Sequence, residues 1–309
     1  MSGTKDRNAT GVVMFFAFLI LAIFAGLVYA EQYPKGFGFN NRDNYIAYPA
    51  LHSGKGTVYY IEEFGSGDFK SNYRFVRTGI IPPKSSIGEY RATDAEEVFI
   101  IMSGSVFVTL NGCTSLVNAG HMVPCRIGEM VGLYNPTDGD VSFAWIAAAA
   151  EKGKYNPAPT GNDLSDKKQG LPCPFTSVSF MGADYDNPIK SAHGGKGPIY
   201  DTLGYIVHAY FSLKWSASPM ILPPGTSIGY HRHDNHEEIF FIVSGNARAT
   251  VDGVTLEQGP GDCTICSLGS SHGIFNNGTE DLKIIVSSLS AVPSGKRDSV
   301  DFGDDLTGR

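Results

Sequence analysis

The chain has 309 residues, of which 42% are hydrophobic, 18% charged and 12% aromatic, a balance that excludes global disorder and a length that favours two domains. A formal net charge of −7 leaves no surplus of Lys and Arg to neutralise phosphates, which excludes a non-specific nucleic-acid binder. With 37 Gly and 17 Pro the chain favours many short strands over long helices, and its five scattered cysteines do not make a disulfide scaffold.

In chain order, Lys5 and Arg7 precede an uncharged, largely apolar stretch that reaches Ala30. A secretory signal carries roughly 7–15 apolar residues and a spanning helix about 20, and this stretch lies near the boundary. Val28-Tyr29-Ala30 before Glu31 offers residues that a signal peptidase accepts. Residues 1–30 are therefore expected to be either a signal peptide or a hydrophobic helix kept as a membrane anchor. Both place the remainder outside the cytoplasm: secreted, periplasmic or tethered to the membrane. Residues 31–51 read as an N-terminal extension.

From residue 52 onward the chain repeats itself. His52-Ser53-Gly54-Lys55-Gly56 returns as His193-Gly194-Gly195-Lys196-Gly197, and Pro82-Pro83-Lys84-Ser85-Ser86-Ile87-Gly88 returns as Pro223-Pro224-Gly225-Thr226-Ser227-Ile228-Gly229, both at an offset of 141. The pairs Gly120/Gly261, Cys125/Cys266 and Asn135/Asn276 hold the same register. Each copy reads as strands. Val98-Phe99-Ile100-Ile101 and Ile239-Phe240-Phe241-Ile242 are short, branched and aromatic. Asn111-Gly112 and Asp252-Gly253 between apolar runs signal hairpins. The first domain is expected over 52–150 and the second over 193–292. A Pro- and Gly-rich linker over 151–192 joins them, and a solvated tail over 293–309 follows.

The second copy carries the chemistry. His231 and His233, two apart on a strand, point to one side. Glu238 opens the next strand, and His272 follows a tight Gly269-Ser270-Ser271 turn. Three imidazoles and a carboxylate converging in a small barrel make a site for a divalent transition metal. His236, in the turn between ligands, is expected to face solvent. Cys263 and Cys266 stand at an odd offset on one strand, which sends their side chains to opposite faces and argues against metal or redox use.

The spacing resembles that of the cupin superfamily. Its first motif, G-x5-H-x-H-x4-E-x6-G, is met by Gly225, His231, His233, Glu238 and Gly245. Its second, G-x5-P-x-G-x2-H-x3-N, is met by Gly261, Gly269, His272 and Asn276, with Ser267 where proline is usual. The resemblance implies an all-β bicupin: two tandem jelly-roll (double-stranded β-helix) barrels behind the hydrophobic N-terminal helix. At the metal positions of the first copy stand Tyr90, Ala92, Glu97 and Val131, so the first barrel is expected to hold no metal.

The resemblance also implies chemistry. One divalent ion (iron, manganese, nickel, copper or zinc) held by His231, His233, Glu238 and His272 suits a dioxygenase-type oxidoreductase. Its substrate would be a small, partly apolar, anionic or chelating molecule, with Glu238 doubling as the base. Phe240, Ile228, Ile274 and Phe275 are expected to wall the pocket. A cupin lyase that uses a tyrosine as base would need Tyr at position 240, where this chain has Phe240. The alternatives are a non-redox isomerase or lyase, and a binding protein without turnover. The bicupin architecture further implies a homo-oligomer, since exposed barrel edges can pair.

Overall fold

The short branched and aromatic runs form strands, as their composition predicts. A computed structural model describes residues 33–168, 177–202, 210–292, 294–295 and 297–309, and the hydrophobic segment 1–30 lies outside the described residues. Among them, helix is confined to three single turns, Arg42–Asn44, Leu51–Ser53 and Phe180–Gly182. No helix among the described residues is long and apolar enough to cross a membrane.

Residues Lys35–Arg309 form one unit in which each copy builds two sheets around a shared core. In the first copy a seven-stranded sheet, centred on Ala95–Ser103 and Val141–Ala149, joins a five-stranded sheet holding Ser105–Leu110 and Met130–Tyr134. In the second, a six-stranded sheet centred on His236–Ser244 and Leu282–Ser290 joins a five-stranded sheet holding Ser227–Arg232 and Ser271–Phe275. Both predicted hairpins are present. Asn111-Gly112 and Asp252-Gly253 each place two consecutive residues at positive φ (51° and 82°, 47° and 84°), the turn that matches the twist of the flanking strands.

Along Ile239–Ile242 successive side chains enter different cores. Phe240 and Ile242 pack inside the second barrel, whereas Ile239 and Phe241 join a layer between the two barrels. The first copy divides likewise, with Phe99 and Ile101 inside and Val98 and Ile100 between. Both strand faces are therefore dry, which is why these runs lack polar alternation. Each such side chain contributes roughly 1.5–3 kcal/mol by leaving water.

The copies also exchange arms. Phe37–Gly38, ahead of the first barrel, pairs with Cys263–Cys266 of the second, and Val178–Ser179, ahead of the second, pairs with His121–Cys125 of the first. A reciprocal latch accompanies them. Glu237 is buried and accepts the backbone N–H groups of Lys70 at 2.9 Å and Ser71 at 2.7 Å. Glu96, its counterpart at the repeat offset, accepts those of Ser212 at 2.7 Å and Leu213 at 3.1 Å.

One expectation is corrected. The segment 293–309 is not a solvated tail, because Val300–Asp304 forms a strand against Ser227–Arg232 and Leu306 is 1% exposed. Its composition misleads because backbone pairing at a sheet edge needs no hydrophobic alternation, and a single leucine anchors the end.

Candidate metal centre

The strand Ser227–Arg232 delivers His231, the turn after it His233, the strand His236–Ser244 Glu238, and the strand Ser271–Phe275 His272. His231 and His272 stand opposite each other across the ladder, where a register shift after Ile228 re-aims the ligand strand. The structure brings all four predicted side chains together, with one ligand atom from each lying within 4.8 Å of the others. Glu238 Oε2 is 3.2 Å from His272 Nε2, 3.5 Å from His233 Nε2 and 3.7 Å from His231 Nε2. His231 is 0% exposed, His233 2%, Glu238 8% and His272 0%.

The surrounding groups fix which atoms face inward. His231 Nδ1 lies 2.7 Å from the Gly229 carbonyl and His233 Nδ1 lies 2.6 Å from that of Asp298. A carbonyl only accepts, so each Nδ1 donates and each Nε2 turns a lone pair to the centre. Ser288 Oγ donates to Glu238 Oε1 and leaves Oε2 for the cluster. The Phe240 ring stacks on His272 at 4.2 Å and forms a dry wall.

The donor set fits a metal ion on the structure's own terms. His231 Nε2 and His272 Nε2 face each other at 3.1 Å, and His233 Nε2 is buried without a hydrogen-bond partner. Buried lone pairs converging on a carboxylate oxygen leave a polar demand that a shared cation meets. Burial pushes His272 down to about 3, which keeps it neutral and able to ligate. Burial pushes Glu238 up, but the three surrounding imidazoles outweigh it and hold the carboxyl well below its ordinary value. The cluster is a site for one divalent transition ion, with His231, His233, Glu238 and His272 as the residues that would hold it.

The first barrel fills the corresponding volume with side chains. Tyr90 OH donates to Glu97, and Trp145 Nε1 donates to the same carboxylate at 3.0 Å. Trp145 stands where the second copy has Val286, and its ring packs against Phe75 and Phe99. Ala92 and Val131 offer no donor atom. Burial pushes Glu97 from 4.5 up to about 7, against those two hydrogen bonds. The native state therefore holds this proton more tightly than the unfolded chain. The neutral carboxyl's contribution is complete below about pH 4.5 and is lost as pH rises toward 7. Glu97→Gln is expected to remove a stability decline of order 3 kcal/mol across that window. Denaturant titrations of parent and variant at pH 4.5, 6 and 7.5 would check it, since equal slopes would contradict it.

Several residues escaped the sequence. His193, which the sequence offers only as the first residue of a repeated segment, stacks on His231 with ring centroids 3.7 Å apart. Its counterpart His52 lies tilted over Tyr90 at 4.2 Å, so the repeated turn seats a ring over the first ligand position in both copies. His236 does not face solvent. It opens its strand, is 3% exposed and lies over His233 at 3.8 Å. Phe275 does not wall the pocket either, because His272 and Ile274 point inward and Phe275 lies outward under Arg248. Cys263 and Cys266 diverge as expected, Cys263 donating to Glu63 and Cys266 to the Ser270 carbonyl. A cavity of about 530 Å³ between Pro224, Asn246 and Lys283 includes none of the four ligands.

Two facing sheets per copy, with three His and one Glu inside the second, define a two-barrel metal-binding β-protein. Comparison with known proteins agrees. Residues 219–288 match the cupin domain family. An oxalate-binding protein of Thermotoga maritima is 31% identical over 97 residues, covering 31% of this chain and 80% of that protein. Vicilin from tomato (Solanum lycopersicum) superposes with a TM-score of 0.59 at 13% identity, covering 87% of this chain and 88% of that one. A Bacillus subtilis oxalate decarboxylase with Mn(II) centres superposes with a TM-score of 0.55 at 14% identity, covering 97% and 88%. These two likenesses establish the fold. The chain belongs to the cupin superfamily, and its two copies make it a bicupin.

Proposed function

We propose that the chain is an exported metalloenzyme, a dioxygenase-type oxidoreductase acting on a small chelating carboxylate anion of the oxalate kind. The observation that carries this reading is the buried cluster of three imidazoles and one carboxylate. With a divalent ion it keeps a single net positive charge, which favours an anionic partner. The ion supplies Lewis acidity and, if redox-active, electrons. The chain's own residues do the rest. His231 and His233 are held in one tautomer by backbone carbonyls, and Phe240 excludes water from the His272 side. Glu238 would take a substrate proton on Oε1, giving up its bond from Ser288. Arg297, whose guanidinium lies 3.2 Å from the Ser288 carbonyl, adds positive charge nearby.

Binding without turnover is the second reading, favoured by the relative described as oxalate-binding and by the near-complete burial of all four ligands. The test is oxygen uptake by the full chain, loaded in turn with iron, copper, manganese and nickel and offered oxalate and larger chelating acids. Metal-dependent uptake that Glu238→Gln abolishes supports the enzyme. Calorimetric oxalate binding without uptake supports the binding protein. Failure of every chelator to bind overturns both.

The export reading rests on the apolar segment 1–30 and the residues before Glu31 that a signal peptidase accepts. Cell fractionation with N-terminal sequencing separates cleavage from anchoring. Exposed Ile46 and Val254, on the edge strands Ile46–Pro49 and Val254–Gln258, support a homo-oligomer, which sedimentation would test.

A further inference from the structure

We propose that the C-terminal segment Asp298–Leu306 is a positioning strap of the metal centre, so that its seating and metal affinity are thermodynamically coupled. The proposal rests on the metal site and not on turnover, so it stands or falls independently of the reaction.

The strap touches the ligands by three routes. The Asp298 carbonyl accepts from His233 Nδ1 at 2.6 Å and holds that ligand directly. Val300 and Asp301 pair with Arg232 and His231, so the strap lies along the ligand strand. Asp301 Oδ1 is 2.8 Å from His193 Nδ1, and the His193 ring is stacked on His231. At the far end Leu306 packs over Gly273, the residue after His272, where an added Cβ would stand 2.7 Å from Leu306 Cδ1. Ser227 Oγ fixes this end by donating to the Asp305 carbonyl at 2.7 Å.

The first barrel supplies an internal control. Gly161-Asn162-Asp163-Leu164-Ser165 matches Gly303-Asp304-Asp305-Leu306-Thr307 at an offset of 142, one more than the barrels themselves. The anchorage is the same in both copies. Leu164 is 0% exposed and packs over Gly132, Ser86 Oγ donates to the Asp163 carbonyl at 2.6 Å, and both leucines hold φ near 65° (64° and 65°). The extra contacts are not the same. At the strap offset Asp301 corresponds to Pro159, which has no carboxylate, and the first strap runs beside Tyr90 where the second runs beside a metal ligand. Anchoring by leucine thus belongs to the fold, whereas orientation of His193 and His233 belongs to the metal-binding copy.

Groups that orient metal ligands contribute about 10–100-fold to affinity, and coupling between two equilibria is reciprocal. The experiment measures zinc and manganese dissociation constants of the full chain by chelator competition, for the parent, Leu306→Ala, Asp301→Asn and Leu164→Ala. Amide hydrogen exchange of residues 300–306 in the parent is followed with and without metal. Leu306→Ala and Asp301→Asn are expected to weaken binding by about 10–100-fold. Leu164→Ala, which opens a similar cavity, is expected to leave affinity unchanged, and metal is expected to slow exchange in 300–306. Affinity retained in both strap variants, or lost equally in Leu164→Ala, overturns the proposal. So does exchange indifferent to metal, a result that needs no variant to fold.

Discussion

His231→Ala and His272→Ala are each expected to reduce bound metal from about one equivalent per chain to a trace, an effect well beyond the roughly 10–100-fold that an outer-shell partner contributes. Either substitution removes one of four donors from a site whose atoms lie within 4.8 Å of each other. What remains is two imidazoles and Glu238, with water admitted to the gap. The fold should survive, because the strands that carry these histidines are held by Ile228, Ile274 and Phe240 in the second core. Elemental analysis beside circular dichroism checks the prediction. Full metal retention in either variant would place the ion elsewhere.

Glu96→Ala and Glu237→Ala are expected to destabilise the unit by about 2–4 kcal/mol each, because each strands two backbone N–H groups at the junction of the barrels. Both carboxylates are 1% exposed, so water does not readily replace them. The effect should appear as a lower denaturant midpoint. Glu96→Ala is the cleaner variant, since Glu237 adjoins the ligand Glu238. A midpoint unchanged in both would mean that the latch contributes nothing and that the apolar layer alone joins the barrels.

Much of this was legible in the sequence, for identifiable reasons. The 141-residue offset reported two barrels, because both copies need the same turns and dry strand faces. The four ligands were legible because ligation restricts residue type and strand alternation restricts spacing. What stayed hidden depends on contacts between distant segments. His193 opens a segment repeated in both copies, and only the folded chain shows its ring over His231. His236 looked like a turn residue because strand onset cannot be fixed to one position from pattern alone. The strap was concealed by a one-residue change of offset and by a polar composition, although Gly303-Asp304-Asp305-Leu306 repeats Gly161-Asn162-Asp163-Leu164 in plain view.

The most direct test of one metal held by the second barrel alone is anomalous X-ray scattering from crystals of the full chain loaded with manganese or zinc. A single peak bonded to His231 Nε2, His233 Nε2, His272 Nε2 and Glu238 Oε2 is expected, and none beside Glu97. A peak in the first barrel, or none among the three histidines, would contradict it.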